Sequence, residues 1–98
     1  MKREKFENVW FALEDTEADA INMTMRSNLM TAIEKVVQRW DVFQGEAAKR
    51  LGITRPRLND LLRGKISKFS LDALTMLATR SGLSVRMNVR KSPGKRAA

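Results

Sequence analysis

Residues 44–64 read QGEAAKRLGITRPRLNDLLRG, and the fold turns on this stretch. Ala47, Ala48 and Leu51 share one side of a helix that opens at Gln44 and ends at Gly52. Thr54 is a natural N-cap for a second helix, because its hydroxyl can accept from a first-turn amide. Pro56 falls in that first turn, where its missing N–H would have no partner anyway. The second helix carries Leu58, Leu61 and Leu62 and stops at Gly64. Two helices joined by a three-residue turn must cross steeply, and the crossing restricts several positions. Ala48 must be small because the second helix passes over it. Gly52 supplies the positive φ that the turn needs. Ile53, Leu58 and Leu61 then point back into the core beside Ala47 and Leu51. Each position holds a suitable residue type.

On the N-terminal side, Val9, Trp10 and Leu13 can share a face of a short helix. Thr16 with Asp19 has the form of a capping box and predicts a new helix start. Met25, Leu29, Ile33, Val36, Val37 and Trp40 recur at steps of three and four, which predicts a long helix to about Trp40. On the C-terminal side, Ser70 is the N-cap of a further helix, with Phe69 placed to staple against Leu74. Leu71, Leu74, Leu77 and Ala78 form its apolar stripe and Gly82 its stop.

Beyond Gly82 the period changes. Leu83, Val85, Met87 and Val89 alternate with Ser84, Arg86, Asn88 and Arg90, the pattern of a half-buried strand. No second strand is legible, so its expected partner is the same strand of a second copy about a two-fold axis. These readings divide the chain into an acidic, aromatic arm with a short helix (1–23), a helical domain (24–82), a dimerisation strand (83–90) and a disordered basic tail (91–98).

The sequence of 98 residues provides one small domain with a single modest core. It has no cysteine and no histidine, which excludes disulfides and thiolate or imidazole metal sites and removes the commonest general base. Neither a cofactor nor a metal is expected. No apolar run approaches the roughly 18 residues of a membrane span, and the N-terminus has no secretory apolar core, so a cytoplasmic location is expected. The net charge of +8 is unevenly spread: residues 41–98 carry 13 Lys/Arg against four acids, while residues 6–25 carry five acids and no Lys or Arg. The basic half suits a polyanionic partner, or a solvated basic face.

The motif at 44–64 resembles the helix-turn-helix of the Cro/CI-like, or Xre-type, proteins. Gln44, Ala48, Gly52-Ile53-Thr54, Leu58, Leu61 and Arg63-Gly64-Lys65 carry the likeness, which extends over about Leu29 to Leu83. The resemblance implies a mainly α, lambda-repressor-like bundle of four to five helices, to which the alternation after Gly82 adds a C-terminal β-strand for dimer pairing. It also implies that Thr54 to Arg63 enters the major groove of double-stranded DNA. Arg55 and Arg57 are then candidates for guanine, Asn59 for adenine and Thr54 for a base or a phosphate. Gln44 typically holds a backbone phosphate in this family, and Arg63, Lys65 and Lys68 lie where phosphates pass. Two departures stand out. Pro56 replaces a residue that is often polar, and Asp60 would repel phosphate unless it pairs with a cytosine amine or an arginine.

The acidic extension FENVWFALED, taken with ITRPRLNDLLRGK, FSLDAL and GLSVRMNV, is similar to a narrower group, the HigA-like antitoxins. That likeness implies autoregulation of an operon and neutralisation of a small basic RelE/HigB-like ribonuclease toxin. Phe6, Trp10 and Phe11 would anchor the toxin, or dock on the chain's own long helix over Met23, Met25 or Met30. A stand-alone prophage or stress regulator without a toxin is the alternative. An enzyme is not expected, since no carboxylate, lysine or hydroxyl cluster and no phosphate-binding glycine loop stands out.

Overall fold

The computed structural model describes the backbone of residues 2–91 and the side chains of residues 16–91. The expected anchors Phe6, Trp10 and Phe11, and the tail from residue 92, lie outside the described residues. Four α-helices and one short 3-10 turn follow one another: α1 (Lys2–Trp40), α2 (Gln44–Leu51), α3 (Arg55–Leu62), the 3-10 turn (Ile66–Lys68) and α4 (Leu71–Arg80). No strand is present among the described residues.

The core is built from one stripe of each helix. Met30, Ile33 and Val37 of α1, Ala47, Ala48 and Leu51 of α2, Leu58 and Leu61 of α3, and Leu74, Leu77 and Ala78 of α4 are buried together with Phe69. Leu29, Trp40, Val42, Ile53, Leu62, Ile66 and Leu83 close its margin. The periodic stripe expected on α1 is therefore right at Leu29, Ile33, Val37 and Trp40, whereas Val36 lies outside the core cluster, Met25 is 43% exposed and Met30 takes a buried place.

Local signals set the boundaries. Gly52 adopts φ 71°, and its N–H caps the end of α2 at the Ala48 and Lys49 carbonyls. The Thr54 hydroxyl accepts from the Arg57 amide at 3.3 Å, with Pro56 in the first turn of α3. The Ser70 hydroxyl accepts from the Ala73 amide at 3.0 Å, and the expected staple pair, Phe69 and Leu74, is fully buried.

Two expectations are corrected. The first is the new helix start at Thr16: α1 runs unbroken through it, making one 39-residue helix. No glycine or proline precedes Gly45, and the Glu/Ala-rich segment around Thr16 favours continuation over a cap. The second is the strand: residues 83–90 form neither helix nor strand. Leu83 packs on the core, its amide donating to the Ala78 carbonyl at 2.9 Å, instead of lying on a strand edge. Val85 to Asn88 run beside α1 and α4, where with Met25, Leu29, Leu71 and Thr75 they line a groove of about 260 Å³. A strand requires an adjacent ladder of backbone donors and acceptors, and the chain supplies none there.

The long helix dominates the shape. The radius of gyration is 17.4 Å and the long axis 53 Å, against about 13 Å for a compact chain of this length. From Thr16 to Met25 only Asn22 is even half-buried, so α1 extends past the core as an arm.

Candidate nucleic-acid interface

At about 100° per residue, α3 presents three distinct faces. Leu58 and Leu61 point inward and are fully buried. Pro56, Asn59 and Arg63 form the outward ridge and are exposed, and Arg55 is exposed at one edge of it. Arg57 and Asp60, one turn apart, are half-buried on the other edge, toward the 3-10 turn. The exposed ridge is the part of the motif that can enter a groove.

Arg55 leans toward the start of α2. A Cβ built on Gly45 would meet Arg55 Cδ and Nε at 3.9 Å, so the arginine stem passes directly over that glycine. Gln44, next to it, is exposed. The residue before α2 is Phe43, which offers no side-chain cap. At this end of α2 the Glu46 and Ala47 amides both donate to the Phe43 carbonyl at 3.0 Å, which leaves the N–H groups of Gln44 and Gly45 ahead of the first intrahelical bond. Arg55 and Gln44 are thus brought together at the junction of α2 and α3.

The opposite edge is organised differently. The Arg57 guanidinium lies over the Phe69 ring, 4.2 Å from its centroid, and donates from Nη1 to the Lys68 carbonyl at 3.0 Å. Asp60 pairs with Lys65 Nζ at 3.6 Å and Lys68 Nζ at 3.9 Å. Its partners are lysines, not the arginine considered from sequence, and they offset its charge beside the ridge. Both lysine side chains remain about half exposed, at 43% and 56%. Such long, exposed pairs are weak, and a phosphate can compete for the ammonium groups.

Three further residues shape the site, two of them without a local signal in the sequence. Arg26 of α1 donates from Nη1 to the Ile66 and Phe69 carbonyls at 3.0 and 3.2 Å, and from Nε to Asn22 Oδ1 at 2.7 Å. Arg80 of α4 donates to the Leu51 carbonyl at 3.1 Å, placing a cation at the C-terminus of α2. Arg50 lies 5.0 Å from the centroid of the Trp40 ring and pairs with Glu46 at 3.1 Å, tying α2 to the end of α1. Arg26 and Arg80 bridge segments 29 to 43 residues apart, beyond any local pattern.

No group of three or more acidic residues placed to hold a metal occurs among the described residues. Nor is any described helix long and apolar enough to cross a membrane.

Comparison with known proteins agrees with this geometry. A family model described as a helix-turn-helix domain matches residues 12–90. A solved structure assigned to the XRE family of transcriptional regulators is 34% identical, superposes with a TM-score of 0.71, and is matched over 82% of this chain and 90% of its own. None of the curated proteins compared matches the chain. With the motif, its caps and its exposed ridge all in place, the chain belongs to the XRE-type helix-turn-helix family of DNA-binding transcriptional regulators.

Proposed function

We propose that the chain is a sequence-specific repressor that reads double-stranded DNA with the exposed ridge of α3. The observation that carries this reading is the joint exposure of Arg55, Asn59 and Arg63 on one capped helix, with Gln44 exposed at the start of α2. Arg55 has the fork geometry for guanine and Asn59 the amide for adenine. Thr54 sits at the helix start within reach of a base or phosphate. Gln44, Arg63, Lys65 and Lys68 hold the flanking phosphates. Selection of duplexes from a random pool by the full chain tests this. Recovery of a common sequence, bound with a steep salt dependence, supports the reading. Binding without any recovered sequence would reduce the chain to a non-specific DNA coat.

We further propose that the repressor acts as a homodimer and as the antitoxin of a small basic ribonuclease. Val85, Met87 and Val89 are 44%, 79% and 80% exposed, leaving apolar side chains at the C-terminal end for a second copy to cover. Introducing Asp at Val85 and Met87 then yields monomers by light scattering, and an unchanged mass excludes that surface. The antitoxin role draws support from the α1 arm, where Ile21 and Met23 are exposed on a segment rich in acids and free of Lys and Arg. Such a surface attracts a basic partner and offers it apolar anchors. Co-expression with the product of the neighbouring gene tests it. A stable complex lost on deleting residues 1–23, with DNA binding retained, supports the antitoxin role; no complex favours a stand-alone regulator.

A further inference from the structure

We propose that Arg57 is a positioning residue, not a base-reading one: it clamps the segment after the recognition helix so that Lys65 and Lys68 meet the DNA backbone. The inference rests on the DNA-binding reading above and revises the part expected of one arginine in it.

A base-reading arginine must project from the open ridge and keep its fork free. Arg57 lies on the opposite edge of α3 from Arg55, with its cationic plane over Phe69 and Nη1 engaged by the Lys68 carbonyl. Phe69 is 1% exposed and belongs to the core, so the ring is a fixed platform. Leaving it would cost both the stacking and the hydrogen bond. Arg55 bears no comparable restraint among the contacts found on α3.

The segment that Arg57 holds is also gripped from behind. Arg26 donates to the carbonyls of Ile66 and Phe69, while Arg57 donates to that of Lys68. Three carbonyls within four residues are therefore fixed by two arginines from different helices. Asp60 adds the pairs to Lys65 and Lys68. A backbone pinned at these points sets where both ammonium groups stand relative to α3. Release of the clamp weakens contacts that carry no sequence information, so affinity falls on every duplex alike while preference is kept.

The test uses the full chain carrying Arg57→Ala, Arg57→Lys or Arg26→Ala, each held well below its unfolding midpoint so that only folded protein is compared. Arg57→Lys keeps a cation over Phe69 and guards against a poorly folding alanine variant. Each is measured on the duplex selected by the wild type and on its single-base variants. The expected result for Arg57→Ala is a loss of roughly tenfold on all duplexes, an unchanged order of preference, and a salt slope shallower by about one. Arg57→Lys keeps the same order with a smaller loss, and Arg26→Ala, remote from the ridge, reproduces the alanine pattern. Faster amide exchange at Lys68 and Phe69 without DNA accompanies the loss. Relaxed preference at one base pair in the Arg57 variants, with the others kept, would overturn the inference and leave the DNA-binding reading standing. Unchanged affinity would overturn it as well. A wild-type chain that selects no duplex fails at the first step, removing the DNA reading and this inference with it.

Discussion

Gly52 shows how much a single position can carry. Its φ of 71° is one that an L side chain adopts with strain, and a Cβ there would meet Arg80 Nη1 at 3.1 Å. That same nitrogen donates to the Leu51 carbonyl, so an added methyl group strains the turn and disturbs the cation at the end of α2. Gly52→Ala is expected to lower stability by about 1–3 kcal/mol in denaturant titration. Arg80→Ala, which leaves the turn unstrained but removes the hydrogen bond and the cation at the end of α2, should lower it by about 1 kcal/mol. Glu34 provides a pH-dependent counterpart. Burial raises its carboxyl above the ordinary carboxylate value, so the folded chain holds this proton to higher pH than the unfolded chain does. The associated stability is full below the unfolded value and lost as pH rises through the folded one. Glu34→Gln should therefore melt higher than the wild type at neutral pH, with the gap shrinking as pH falls below the carboxylate range. The turn glycine was legible from sequence because its constraint is local. The Arg80 contact was not, because it joins residues 29 apart.

The helices themselves divide along the same line. Caps and staples were readable because they act within five residues: Thr54 on the Arg57 amide, Ser70 on the Ala73 amide, Phe69 beside Leu74. Replacing Thr54 or Ser70 by Ala is expected to cost about 1 kcal/mol each in thermal or chemical unfolding. Circular dichroism should show the helix content largely retained. The capping-box reading at Thr16 failed because the same short pattern fits inside a helix when nothing nearby breaks it, and α1 continues through it. The alternation after Gly82 is a property of side chains, whereas a strand is a property of paired backbones. Leu83 instead joined the core. On α3 the sequence could name two arginines two residues apart, but not that Phe69 would hold one of them.

At the scale of the whole molecule, a compact four-helix core presents a basic reading face and sends out an acidic helical arm. The two carry opposite charge, with the reading face in a half that holds 13 Lys/Arg against four acids. Their physical link is Arg26: it bonds Asn22 at the root of the arm and the carbonyls next to the segment that follows α3. The buried scaffold of the motif agreed closely with its sequence pattern, since Ala47, Ala48, Leu51, Leu58 and Leu61 all lie in the core. The reading edge required the fold, because only packing decides which polar side chains stay open. On this edge Arg55 is the residue proposed to read a base. The most direct test is the affinity of wild type and Arg55→Ala for the selected duplex and for every single-base variant of it. A loss of about 1–3 kcal/mol on the selected duplex, with preference relaxed at one base pair and kept elsewhere, is the expected result. An Arg55→Ala chain that keeps full preference at every position would contradict the account.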